Sequence, residues 1–304
     1  MRAQSRRRHS PTQMPDTMDA SQASHQIIAD LLAERTGQHL TESRRWRVAT
    51  ALAGVFREHG ISNIDQLVCL LDIPRRRSTD HDLATEVVEA LLNNETYFFR
   101  DKPTFDQVPE SILPEIARRR AGSRRISIWC AGCSTGQEVH SLAMLFEDQK
   151  DRWQGWDIDI LGTDVSHKVI RTARTGLYSQ FEVQRGLGVA QMLRHFEETP
   201  EGWQIKDHVR QITRFQQHNV LTPPPESGRF DLILCRNVLL YFDQPTREKA
   251  FRRLASAIAP GGFLMLGAGE TVVGQTREFV SLKGQVSMYE LQDSAAPAPA
   301  FAHG

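Results

Sequence analysis

The chain has 304 residues, 40% of them hydrophobic and 24% charged, with 37 Lys and Arg against 37 Asp and Glu. That is the composition of a globular protein with room for one large domain or two modest ones, and its formal net charge of zero excludes a global field for nucleic acid or an anionic membrane. No apolar run approaches the ~18 residues of a membrane span, and no apolar core follows the basic start (Arg2, Arg6, Arg7, Arg8), so a soluble cytoplasmic protein is expected.

Residues 1–20 are rich in Arg, Ser, Gln and Pro and read as a disordered basic tail; residues 293–304 read likewise. Residues 21–92 read as an all-α domain with four apolar stripes. The stripes are Ile27-Ile28-Leu31-Leu32, then Val48-Leu52-Val55-Phe56 closed by Gly60, then Ile64-Leu67-Val68-Leu71 behind an Asn63 cap, then Leu83-Val87-Val88-Leu91 behind Thr79 and Asp80. Arg44, Arg45 and Arg47 cluster near the start of the second helix, as a solvated face or as a basic face that docks an acidic partner. Residues 93–102 form a linker dense in polar groups around Tyr97, Phe98 and Phe99.

From 103 to 292 strand-like and helix-like runs alternate: 126–130, 137–147; 157–163, 166–175; 230–235, 245–258; 262–267. The alternation predicts a mainly parallel sheet with helices on both faces, the latter part of an α/β protein. Residues 176–219 break the rhythm and read as a small β insertion, with a helix-like stretch around 187–196, strand-like runs Gly202–Ile205 and Gln211–Phe215, and a hairpin turn at Glu201-Gly202.

The chemistry gathers at the ends of these runs. Cys130-Ala131-Gly132-Cys133-Ser134-Thr135-Gly136 joins the first strand to the first helix, a strand–glycine turn–helix unit that lets backbone approach a ligand. No Lys follows the second glycine, so it is not a P-loop. Cys130 and Cys133 have CxxC spacing, but no second pair completes a zinc site and the turn explains the spacing; no metal is expected. Asp164 ends the second strand, where an acid can bind both ribose hydroxyls, or could instead cap the next helix. Glu138 stands in the first turn after the glycine loop, complementing the helix dipole or attracting a cationic ligand. A carboxylate there suits S-adenosylmethionine, which carries a sulfonium and an ammonium and no phosphate. Phe230–Cys235 reads as a buried strand that ends in polar groups, with Asn237 and Tyr241 at the same mouth, and Val238 and Leu239 replace the prolines an amide methyltransferase would carry. A Pro260-Gly261-Gly262 turn then leads into the last strand run.

Four motifs occur in order: Asn94-Glu95-Thr96-Tyr97-Phe98-Phe99-Arg100, Ala131-Gly132-Cys133-Ser134-Thr135-Gly136-Gln137-Glu138, Thr163-Asp164, and Cys235-Arg236-Asn237-Val238-Leu239-Leu240-Tyr241-Phe242. By these the chain resembles the CheR-type chemotaxis receptor methyltransferases over about residues 25–292. The resemblance implies an N-terminal helical domain, a class I (Rossmann-like) methyltransferase domain and an inserted antiparallel β-subdomain. It implies transfer of methyl from S-adenosylmethionine to glutamates on the cytoplasmic helical domain of chemoreceptors, leaving S-adenosylhomocysteine. Carried over by position, Asn94, Thr96, Gly132, Glu138, Asp164, Asn219, Val220, Arg236 and Asn237 bind the donor, with Arg100 both binding it and organising transfer beside Tyr241. Gln137 and His140 stand where acidic and tyrosine residues are usual, and Ala268-Gly269 replaces His-Ser before Glu270. Family members that also bind a C-terminal receptor pentapeptide resemble one another in a longer glycine-rich loop. Here Glu197–Gly202 is short and acidic, so methylation without that tether is expected, by a monomer. A donor-binding sensor or scaffold without transfer is the alternative.

Overall fold

A computed structural model describes residues 20–41, 44, 46–71 and 82–292. The two tails, Arg45, and the cap expected from Thr79 and Asp80 lie outside the described residues.

The first elements are helices: α1 (Ala20–Thr36), α2 (Val48–Ala51), α3 (Ala53–His59), α4 (Ile64–Leu71) and α5 (Leu83–Leu91). Their apolar stripes meet in one core of Ile28, Leu32, Leu52, Leu67 and Val87, none of them exposed to solvent. Gly60 ends α3 in the left-handed conformation, and the Asp82 carboxylate caps α5 by accepting the Thr85 N–H at 2.7 Å. The arginines expected near the start of the second helix precede it instead, because α2 begins at Val48.

Residues 93–101 cross without regular structure to α6 (Lys102–Phe105), a π turn (Val108–Ile112) and α7 (Leu113–Arg119). The second layer system then begins: β1 (Arg125–Ala131), α8 (Gln137–Asp148), β2 (Asp157–Asp164), α9 (His167–Thr175). It continues with β3 (Leu177–Tyr178), α10 (Gln180–Gln184), α11 (Val189–His195), β4 (Phe196–Thr199), β5 (Gly202–Ile205) and α12 (Asp207–Arg210). It closes with β6 (Thr213–Gln217), β7 (Phe230–Cys235), a 3-10 turn (Leu239–Tyr241), α13 (Gln244–Ala257), β8 (Ile258–Leu266), β9 (Phe279–Ser281) and β10 (Met288–Leu291).

The main sheet runs β6-β2-β1-β7-β8-β10-β9. Its first five strands are parallel; β10 and β9 join antiparallel, which makes the sheet mixed. Alternation along the strands sorts the core onto two faces: Ile126, Ile128, Cys130, Leu232 and Leu234 on one, Trp129, Ala131, Ile233 and Cys235 on the other. Strand order reverses at β1, whose neighbours are β2 and β7. The crevice beyond its carboxyl end is the place where an open α/β sheet binds ligands.

The small sheet has its hairpin turn between Thr199 and Gly202, at the expected place, pairing β4 with β5, and β3 adds on the far side of β5. Two expectations change. Thr213–Gln217, expected within the insertion of 176–219, is instead β6, the parallel edge of the main sheet beside β2. Its half-exposed, alternating sequence satisfies an edge strand as well as a hairpin arm. Pro260-Gly261-Gly262 does not end an element; it lies inside β8, where the pairing with β7 shifts register between Phe230 and Leu232.

Candidate active site

One open cleft lies at the carboxyl ends of β1, β2 and β7. Asn94, Thr96, Arg100, Gly132, Glu138, Asp164, Asn219, Val220, Arg236, Asn237 and Tyr241 all line it. The helical domain contributes Thr36 and Gln38, which none of the apolar stripes pointed to.

The glycine turn forms the floor. Gly132 and Cys133 both donate their N–H to the Thr163 carbonyl at 2.8 Å, tying β1 to β2. Gly132 has φ of 82°, and a Cβ there would stand 2.3 Å from Val238 Cγ2, so only glycine lets the loop from β7 close over it. The Ser134 hydroxyl donates to the Asn94 carbonyl at 2.7 Å, which fastens the linker to the turn.

Asp164 is not the cap of α9; Ser166 caps it, accepting the Val169 N–H at 3.2 Å. Asp164 Oδ2 accepts from Ser134 N–H at 2.9 Å and Oδ1 from Ser166 N–H at 3.0 Å. Burial raises its carboxyl pKa above the ordinary value, opposed by those N–H groups and that of Val165.

Glu138 faces Arg236, whose Nη1 donates to Oε2 at 2.8 Å. Arg236 Nη2 reaches the Arg100 carbonyl at 2.8 Å and Asp101 Oδ2 at 3.0 Å. The guanidinium is therefore charge-compensated although its side chain is 2% exposed. Arg100 donates to the Glu95 carbonyl at 2.7 Å, with its guanidinium 5.6 Å from the Tyr97 ring centre. Asn219 is held by its own turn: Oδ1 accepts from Leu221 N–H at 2.9 Å and Nδ2 donates to the Arg35 carbonyl at 3.2 Å.

Arg44 departs from its expected place on a docking face. Its Nη2 donates to the Leu91 carbonyl at 2.6 Å and its guanidinium lies 5.3 Å from the Tyr241 ring centre. The chain enters α2 with this side chain turned toward the cleft, where a carbonyl and a π face compensate its charge. Arg47 is exposed and lies over Trp46.

Ser134, His218, Val238 and Phe242 also line the cleft. Ser134, Val238 and Phe242 belong to the motifs without a role assigned to them there, and His218 is flagged only by standing next to Asn219. Cys130, Cys133 and Cys235 are buried free thiols whose pKa burial raises well above the ordinary value. Among the described residues no group of three or more His, Cys, Asp or Glu could hold a metal ion.

The family profile described as "CheR methyltransferase, SAM binding domain" matches residues 94–288, the stretch that builds nearly all of this cleft. The chain belongs to the CheR methyltransferase family. It is similar to the chemotaxis protein methyltransferase of Vibrio parahaemolyticus, 32% identical over 262 residues, covering 85% of this chain and 93% of that one. Chemotaxis protein methyltransferase 1 of Pseudomonas aeruginosa is 30% identical over 259 residues, covering 84% and 92%. A solved TehB-like SAM-dependent methyltransferase of Corynebacterium glutamicum aligns at TM-score 0.34 and 19% identity, over 59% of this chain and 87% of its own; the family assignment rests on the sequence relatives.

S-adenosylmethionine is thus the cofactor of this CheR-family chain, and its cleft fits that group. Gln38 Oε1, Asn237 Oδ1 and Arg236 Nε are buried without a partner although their residues line the cleft. Buried polar atoms without partners are costly, and an amino-acid end with a nucleoside supplies both donors and acceptors. The cleft also carries the carboxylates of Glu138 and Asp164, which suit a cationic ligand without phosphates.

Proposed function

We propose that this chain methylates glutamate side chains on the cytoplasmic helical domain of chemoreceptors, giving glutamyl methyl esters and S-adenosylhomocysteine. The observation that carries the reading is the convergence of the four motifs on one cleft at the strand-order reversal. S-adenosylmethionine supplies an electrophilic methyl on a sulfonium. Glu138, Arg236 and Asn237 hold the methionine end, Asp164 the ribose, and Asn219 and Val220 flank the adenine. Asn94 and Thr96 close the pocket from the linker, Arg100 orients a carboxylate at its mouth, and Tyr241 keeps the methyl in line.

No general base is needed. A glutamate with an ordinary pKa near ~4.3 is already ionised at neutral pH. Held by Glu138, Arg236 and Asn237, the donor would supply its methyl carbon to the acceptor carboxylate, a C–O bond replacing the C–S bond and the electron pair remaining on sulfur. Opposite charges cancel along this path, so a dry site helps. The protein's main contribution is alignment, for which effective molarities of ~10⁵ M or more are attainable. The exposed Arg47 offers attraction to an acidic helix.

The experiment is transfer of labelled methyl from the donor to receptor-rich membranes, with methanol released by mild base as the readout. Release that needs both enzyme and receptor is expected. Donor binding without any transfer would instead identify a sensor or scaffold, and base-stable label would identify N-methylation.

A further inference from the structure

Tyr241 is held at three separate places by the helical half of the molecule and the first residue of the linker. The His39 N–H donates to its carbonyl at 2.9 Å. The Arg44 guanidinium lies over its ring at 5.3 Å and is itself anchored on the Leu91 carbonyl at 2.6 Å. Asn93 Nδ2 donates to its hydroxyl oxygen at 2.5 Å. Backbone, ring plane and hydroxyl are thus each set from residues 39–93, across a separation of about 150 residues from Asn93 to Tyr241. Asn93 itself is exposed at the rim of the cleft, where a hydrogen bond adds little to folding.

We propose that Asn93 and Arg44 are positioning residues for the methyl transfer: Asn93 fills one lone pair of the Tyr241 hydroxyl, so the phenol meets the acceptor glutamate as a hydrogen-bond donor, and Arg44 fixes the plane of its ring. This rests on the reading of the site as a glutamyl methyltransferase. A phenol has one O–H and a limited set of acceptor directions. With the Asn93 N–H in one of them, the O–H points away from Asn93, and none of the described residues accepts it. An ionised carboxylate is an acceptor only. One of its oxygens takes the Tyr241 O–H, and the other is left on the line of the methyl carbon. The C–O bond forms at that second oxygen, the C–S bond breaks, and Tyr241 keeps its proton throughout. Without Asn93 the O–H rotates freely and the carboxylate loses its fixed approach.

The test uses Asn93→Asp in the full chain. The replacement keeps the shape and removes the N–H donor, so the phenol turns its O–H back onto the new carboxylate. Turnover on receptor membranes is expected to fall about tenfold or more, the size of effect that misalignment produces. Donor affinity by calorimetry and the melting temperature should stay at wild-type values. In a Tyr241→Phe background the same substitution should cost nothing further, since residues acting through one group are not additive. A second readout is independent of turnover. The chain has four tyrosines, and in ¹³Cζ-tyrosine NMR the resonance missing from Tyr241→Phe should move in Asn93→Asp and in Arg44→Gln. Additive losses in the double variant, or an unmoved resonance, would overturn the proposal. Should the wild-type protein release no methanol from any receptor, the glutamyl reading falls, and the resonance alone then decides whether Asn93 and Arg44 set the phenol.

Discussion

Glu270 organises the loop that carries the cleft's polar residues. Its Oε1 accepts from the N–H of Val238 at 2.9 Å, Leu239 at 2.7 Å and Leu240 at 3.2 Å, and its Oε2 from Asn237 and Gly267, both at 2.8 Å. Only a carboxylate, acceptor on both oxygens, can serve that ring of donors. Glu270→Gln puts an NH₂ against the N–H groups of Asn237 and Gly267 and leaves them without a partner. Each unsatisfied buried group costs about 1–3 kcal/mol, so a loss of at least ~2 kcal/mol is expected in urea unfolding. The same loosening should weaken donor binding in calorimetry, because Asn237 and Val238 line the cleft. Wild-type stability and affinity together would remove Glu270 from this role. At this scale the sequence spoke most clearly beside strand ends. Asp164 and Asn237 close strand-like runs and Glu138 opens the helix after one, so each could be placed at a mouth from the sequence, whereas Arg236 came with the family resemblance. Glu270 and Gln38 reach the site through contacts that no local spacing encodes, and Arg44 was read as surface because its partners, Leu91 and Tyr241, lie 47 and about 200 positions away.

Within α8, His140 is an element-level liability to acid. Its side chain is 1% exposed, packed 5.3 Å from the Phe215 ring centre and 6.0 Å from that of Tyr178, with Nδ1 unpartnered and Nε2 3.3 Å from the Ala173 carbonyl. Burial lowers its pKa from 6.5 to about 4. The unfolded chain takes up a proton first, as pH falls below about 6.5, and the folded chain does not until about 4. Stability therefore falls with pH across that window at ~1.4 kcal/mol per unit, and this contribution is constant above and below it. His140→Phe removes the titration and keeps the ring packing. Between pH 6.5 and 5 the variant should lose about 2 kcal/mol less than the wild type in urea unfolding. Parallel losses would show that His140 is not a source of the acid sensitivity. Elements were legible in proportion to their burial. Strands β1 and β7 are largely apolar, interrupted inside only by Ser127 and Asp231, and sit within a residue of their expected bounds. The edge strands β6 and β9, and the short β10 beside β9, carry no such run: β6 belongs to the main sheet rather than to the insertion, and β9 and β10, three and four residues long, match none of the expected runs.

The cleft belongs to both halves of the molecule, and Gly37 is one place where they meet closely. It follows α1 with φ of 80°, and a Cβ there would stand 2.3 Å from Leu221 Cδ1, 3.1 Å from Thr246 Cγ2 and 3.5 Å from Phe242 Cε1. Its chain neighbours Thr36 and Gln38 line the cleft from one side, and Val220 and Phe242 line it from the other. Gly37→Ala therefore does two things. It forces a left-handed conformation on a residue with a side chain, at about 1–3 kcal/mol, and it drives Leu221 away from α1. Both neighbours pack on one face of the sheet, Phe242 in its core and Leu221 against it, so some loss of stability accompanies the substitution, while the opposite face packs without them. If the donor site is shared between the halves, the substitution should weaken donor binding in calorimetry by about tenfold, or ~1.4 kcal/mol, while far-ultraviolet circular dichroism stays unchanged. If the sheet alone builds the site, affinity stays at the wild-type value and only the melting temperature falls. The first outcome gives the helical domain a part in holding the donor as well as in setting Tyr241, and the second confines it to the rim.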